Sequence, residues 1–148
     1  MRRIAVVIVL VFAVVIGYNL AFPQNAATPG VKTRNLAVLK LDKRVYLPTD
    51  EMRVTVVNEG NVNVTTGYGF VLYKLDDGRW VEVPLNVSFA QIVVTIAPGR
   101  SWTQTVNLSR LHLAPGRYRI LKIVVVTDPV TKMSMGRVLW GEFEVRGR

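Results

Sequence analysis

No cysteine occurs in this chain, and histidine occurs once, as His112. Without thiols there is no disulfide, no thiolate nucleophile, no cysteine-held metal and no cysteine for lipid attachment. With a single histidine there is no histidine pair to hold a metal and no relay partner for a clustered serine. Carboxylates are also sparse. Asp76 and Asp77 adjoin at an Asp-Gly turn, where aspartate serves as a turn former, and Glu142 and Glu144 alternate along one strand face as a solvated pair. His112 lies just ahead of a Pro-Gly turn and reads as an ordinary loop residue. No catalytic, cofactor-binding or metal-ligating residue is expected, and the protein is not expected to be an enzyme.

What is present begins with an apolar run, Ile4 to Phe22, preceded by Arg2 and Arg3. As a helix rising about 1.5 Å per residue it approaches the ~30 Å hydrocarbon thickness of a bilayer. The two arginines hold its start in the cytoplasm and send the rest outside. Residues 1–22 are therefore a transmembrane anchor or a signal peptide. The run is longer than the usual signal core, and Asn25-Ala26-Ala27 is a poor cleavage site, which favours retention. Anchored, the chain is a single-pass protein of the cytoplasmic membrane with its C-terminal domain extracytoplasmic; cleaved, it is secreted. Residues 23–34 are rich in Pro, Gly and polar side chains and read as a linker, leaving 35–148 as one domain of ordinary size.

The formal charge of +9 resembles a nucleic-acid signature until it is located. Arg2, Arg3, Lys32 and Arg34 lie outside the domain, and the remaining basic residues are scattered. No aromatic-interleaved basic stripe exists to follow a phosphate backbone, so no nucleic-acid partner is expected.

Within the domain the apolar period is two. Met52, Val54 and Val56 alternate with Arg53 and Thr55, and Trp102, Val106 and Leu108 alternate with polar neighbours. Turn residues punctuate the chain at Asn58-Glu59-Gly60-Asn61, Asp76-Asp77-Gly78, Pro98-Gly99, Pro115-Gly116 and Asp128-Pro129. Strands are expected over 36–41, 51–57, 67–75, 80–83, 89–96, 101–108, 117–127 and 137–145. This pattern describes an all-β fold, a β-sandwich of about seven to eight antiparallel strands. Over Ile120–Val126 the alternation fails, with Lys122 the one exception in an apolar run. Either a central strand has its second face partly covered or an apolar patch is exposed for docking.

Three triplets, Asn63-Val64-Thr65, Asn86-Val87-Ser88 and Asn107-Leu108-Ser109, match the glycosylation acceptor pattern, and each asparagine falls on an outward position. Among the tryptophans, Trp140 is the best candidate for exposure and for stacking on a sugar, although core or rim packing is the stronger expectation. The first strand is flanked by charge, whereas the last has few features that blunt an edge. A partner surface is accordingly expected at Ile123, Val125, Val138 and Trp140. The partner would be an envelope protein, a polysaccharide or a second copy paired along a strand edge.

Two motifs resemble known domains. Leu113-Ala114-Pro115-Gly116-Arg117-Tyr118 is similar to the L-x-P-G-x-Y turn of immunoglobulin-like and fibronectin type III domains. The resemblance implies a structural corner of Leu113, Pro115, Gly116 and Tyr118, closed by the tyrosine hydroxyl on upstream backbone. The stretches Val54–Gly60, Gly67–Lys74 and Gly78–Pro84, with Pro98-Gly99 before a later strand, resemble the prokaryotic immunoglobulin-like domains of cell-envelope proteins. That resemblance implies an immunoglobulin-like sandwich serving as a binding or spacer module with no shared active site.

Overall fold

The computed structural model describes residues 36–147; the apolar run and linker lie outside them. Arg34–Arg148 forms one compact unit. Ten strands run through it: β1 Ala37–Leu41, β2 Val45–Tyr46, β3 Glu51–Asn58, β4 Val64–Thr66, β5 Val71–Asp76, β6 Arg79–Val83, β7 Val94–Ile96, β8 Ser101–Asn107, β9 Gly116–Thr127 and β10 Ser134–Val145. One 3₁₀ turn, Leu108–Arg110, follows β8, with the Asn107 carboxamide accepting from the Ser109 N–H at its start. No helix among the described residues is long and apolar enough to cross a membrane.

The strands form two sheets. The smaller has the order β1-β3-β8. The larger runs β2-β10-β9-β4-β7, with the β5–β6 hairpin joined to β9 beside β4. The period-two reading predicts the facing residues well: Met52, Val54 and Val56 of β3 are buried, opposite Val106, Gln104 and Trp102 of β8. From the larger sheet, Tyr118, Ile120, Val124 and Val126 of β9 and Phe143 and Val145 of β10 point between the layers. Non-directional burial of such side chains, each stabilising by about 1.5–3 kcal/mol, is the main force holding the sheets together.

The interior is divided. One apolar cluster gathers Tyr46, Met52, Leu72, Tyr118, Ile120 and Phe143. The other gathers Val56, Val64, Ile96, Val124 and Val126, with Leu36 and Ala37 packed against it. Between them, in strand order, lie Gln104 and Lys122, both buried.

Several expectations need correction. There are ten strands, not seven or eight, and they are not all antiparallel: β2 pairs with the end of β10 in parallel, Val45 beside Glu144 and Tyr46 beside Val145. A two-residue strand carries no period to read. The expected strand over 89–96 shrinks to Val94–Ile96: Phe89 packs on the core instead of pairing, and Ile92 and Val93 are exposed. Phe89 meets Phe70 edge-on at 4.8 Å between ring centres, and Leu85 packs on the same cluster. The last strand begins at Ser134, three residues earlier than expected, and pairs with β9 in continuous register.

Candidate functional site

The outer face of the larger sheet brings the expected partner residues together. Register places Ile123 beside Val138, Leu121 beside Trp140, Val125 beside Gly136 and Arg119 beside Glu142. On the other flank of β9, Val71 lies beside Leu121 and Tyr73 beside Arg119. All these positions share one face, since side chains two apart on a strand point the same way. Ile123, Val125 and Val138 are half-buried and Leu121 is nearly covered, so β9 is a central strand whose second face is apolar and partly covered. Trp140, expected to pack at the core or rim, is 52% exposed.

A polar girdle borders this patch. The Arg119 guanidinium lies 4.1 Å from the centre of the Trp80 ring and 5.3 Å from that of Trp140. It also donates to Glu142 Oε1 through Nε at 2.7 Å, while Arg117 reaches Glu142 Oε2 at 3.4 Å. Stacking on two aromatic faces and a carboxylate fixes Arg119 in one orientation, which favours a preformed surface. Burial, then the Glu82 carboxylate, raises the neighbouring Tyr73 phenol above its ordinary value.

The patch ends at an open edge. Glu144 N–H donates to Arg44 C=O at 2.8 Å and Arg146 N–H to Tyr46 C=O at 3.0 Å, both across the outer side of β10. By strand alternation, the N–H and C=O groups of Gly136, Val138, Trp140 and Glu142 point to that same side. Among the described residues, no strand pairs with them there. An edge of this kind accepts an added strand through main-chain hydrogen bonds.

Other sequence-selected residues are placed as follows. The Tyr118 hydroxyl donates to the Ala114 carbonyl, with its ring stacked on Phe143; Leu113 is buried, and Pro115 and Gly116 form the turn between. Asn63, Asn86 and Asn107 are all exposed. Asp77 and Gly78 both take positive φ at the β5–β6 turn, and His112 does so in its loop.

Two buried polar residues escaped the sequence reading. Asn58 donates from Nδ2 to Val62 O and Ile96 O and accepts from Gly60 N, pinning the β3–β4 turn to the end of β7. Its turn context was a signal, but its burial at the end of β3 was not. Lys122 points between the sheets at 1% exposure and donates to Gly67 O at 2.7 Å, Gly69 O at 3.0 Å and Gln104 Oε1 at 2.9 Å. The Trp102 ring lies beside it. Burial pushes the Lys122 ammonium down to about 8.

Two twisted sheets with facing apolar residues, joined through a crossing first segment, define the class: an immunoglobulin-like β-sandwich. Residues 33–135 match the Bacterial Ig-like domain family, and the chain belongs to that family. No curated protein matches it in sequence. Among solved structures, it is similar to the structural-genomics target SoR45, with 15% identity and a TM-score of 0.45 over 74% of this chain and 85% of that one. It is also similar to Spo0M, a sporulation control protein from Bacillus subtilis, with 15% identity and a TM-score of 0.39 over 78% of this chain and 51% of that one. A third likeness is to the FlaF and FlaG archaellum periplasmic stator complex from Sulfolobus acidocaldarius. There the identity is 14% and the TM-score 0.39, over 82% of this chain and 100% of that one.

Proposed function

We propose that the protein is a non-enzymatic, membrane-anchored immunoglobulin-like module that works outside the cytoplasmic membrane in binding or assembly within the envelope. The observation that carries the binding role is the continuity of the apolar patch of Ile123, Val125, Val138 and Trp140 with the open edge of β10. Main-chain pairing along the edge supplies affinity, and the patch beside it supplies selectivity. The apolar run after Arg2 and Arg3 supports the anchorage and orientation.

Photoreactive residues at Val125, Val138 and Trp140 in native membranes, with Lys40 on the smaller sheet as control, test the surface. Adducts at the three and not at Lys40 are expected; adducts at Lys40 alone refute it. Recovery of the chain in the soluble cytoplasm refutes the anchorage.

A second reading rests on Trp80 and Trp140 flanking Arg119 on one exposed face. Paired aromatic rings beside Arg119 and Glu142 suit a carbohydrate ligand of a secreted domain. A glycan array comparing the wild type with Trp140→Ala decides it, since equal binding by both removes the platform.

A further inference from the structure

The most exposed large apolar side chain among the described residues is Val130, at 87%, and Met133 in the same loop is 72% exposed. Both sit in the loop joining β9 to β10, a tip that extends past the apolar cluster of that end, where Val126 is the last buried residue of β9. This tip is closed on itself. Asp128 Oδ1 accepts from Val130 N and Thr131 N, at 2.7 and 2.9 Å. Asp128 N donates to Met133 O, and Lys132 N to Asp128 O. Met133 N donates to Thr131 Oγ1 and Pro129 has no N–H to offer, so the N–H groups of the tip are satisfied internally, which lowers the cost of taking them out of water.

The tip lies at the end of the domain where the chain comes in. Leu36 O accepts from Glu59 N and Gly60 N, and Leu36 packs on the same cluster as Val124 and Val126. The β5–β6 turn and the Leu113–Gly116 turn belong to the opposite end, roughly a twelve-residue strand or about 40 Å away. Thirteen residues separate Phe22 from Leu36 in the sequence. On the anchorage reading, the anchored segment joins the domain at Leu36, at the same end as the tip.

We propose that the β9–β10 tip is a lipid contact: Val130 and Met133 insert into the bilayer interface, while the Lys132 ammonium stays among the headgroups with its alkyl stem below. The occupant of this apolar tip is the phospholipid surface itself. The proposal rests on the anchorage reading and adds a second point of attachment, which sets the tilt of the domain and turns its free face outward.

The absence of native cysteine lets a single introduced thiol report alone. The full chain carrying Val130→Cys, Met133→Cys or, at the far end, Arg79→Cys is labelled with an environment-sensitive fluorophore. It is then reconstituted into phosphatidylcholine–phosphatidylglycerol vesicles containing a shallow spin-labelled lipid. Blue-shifted emission and quenching at least about twofold stronger at 130 and 133 than at 79 are expected for interfacial insertion. Equal quenching at all three sites in a chain that floats with the vesicles refutes the tip contact and leaves the anchorage intact. A blue shift without lipid quenching also refutes it, because the tip is then buried on protein. A chain that does not float refutes the anchorage, and the lipid contact falls with it.

Discussion

Replacing Lys122 by methionine tests the polar belt that divides the core. Methionine keeps the length and apolar stem of the side chain and removes only the ammonium, so packing is nearly conserved. Two effects then oppose each other. Burial lowers the Lys122 amine to about 8 from an ordinary 10.5, so removing the charge relieves about 3 kcal/mol at neutral pH. Against this, Gly67 O, Gly69 O and Gln104 Oε1 lose their donor, at about 1–3 kcal/mol each. The acceptors outweigh the relief, and a net loss of about 2–3 kcal/mol is expected. Urea unfolding of the Arg34–Arg148 unit measures this as a fall in midpoint at constant slope. Lys122→Ala must cost more, since it adds a cavity. A methionine variant as stable as the wild type would refute the reasoning, because desolvation would then equal everything the three acceptors contribute.

Three further outcomes follow from the geometry. In the wild type, stability should rise with pH from about 8 towards 10, because the unfolded chain still holds the Lys122 proton that the folded chain has released. Above about pH 10 it should fall, since burial raises the Tyr118 phenol, and burial with the Asp42 bond raises that of Tyr46, so both stay protonated only when folded; Lys122→Met should lack the rise in a pH series of denaturant midpoints. Tyr118→Phe removes the hydroxyl bond to Ala114 O and should cost about 1 kcal/mol, measured by the same midpoints, whereas a neutral result denies that bond any role in stability. Asn58→Ala removes three bonds from a fully buried carboxamide and should cost about 3 kcal/mol, with amide exchange quickening at Gly60 and Gly99 if it pins the two turns as described.

The parts of the fold that were legible are those where one face is wet. β3 and β8 alternate because their outer residues, Arg53, Thr55, Thr103 and Thr105, meet solvent. Asp77-Gly78 was legible because a two-residue hairpin turn demands positive φ at both positions. Where the outer face is apolar and only partly wet, the period disappears: Leu121, Ile123 and Val125 of β9, nearly covered or half-buried there, look the same as their inward neighbours. In such a run the single lysine suggests the outside, and the reverse holds. Three acceptors, two of them backbone carbonyls from a distant loop, make the inside tenable, and no local pattern announces them. The apolar residues of the outer face were legible one by one, but the girdle of Trp80, Arg119 and Glu142 depends on cross-strand register that only the fold supplies.

The chain comes in at Leu36, at one pole of the sandwich, and leaves past Val145 at the other. Tension applied between these points runs along the strands. β1 is drawn lengthwise past β3, over five paired positions, and β10 past β9, over twelve. The short parallel pairing of β2 with β10 is loaded in the same sense. Hydrogen bonds pulled in this direction must break together and cannot open one after another as in a peeled hairpin. A domain loaded between these two ends resists stretching along its own axis and yields most easily to a pull across it.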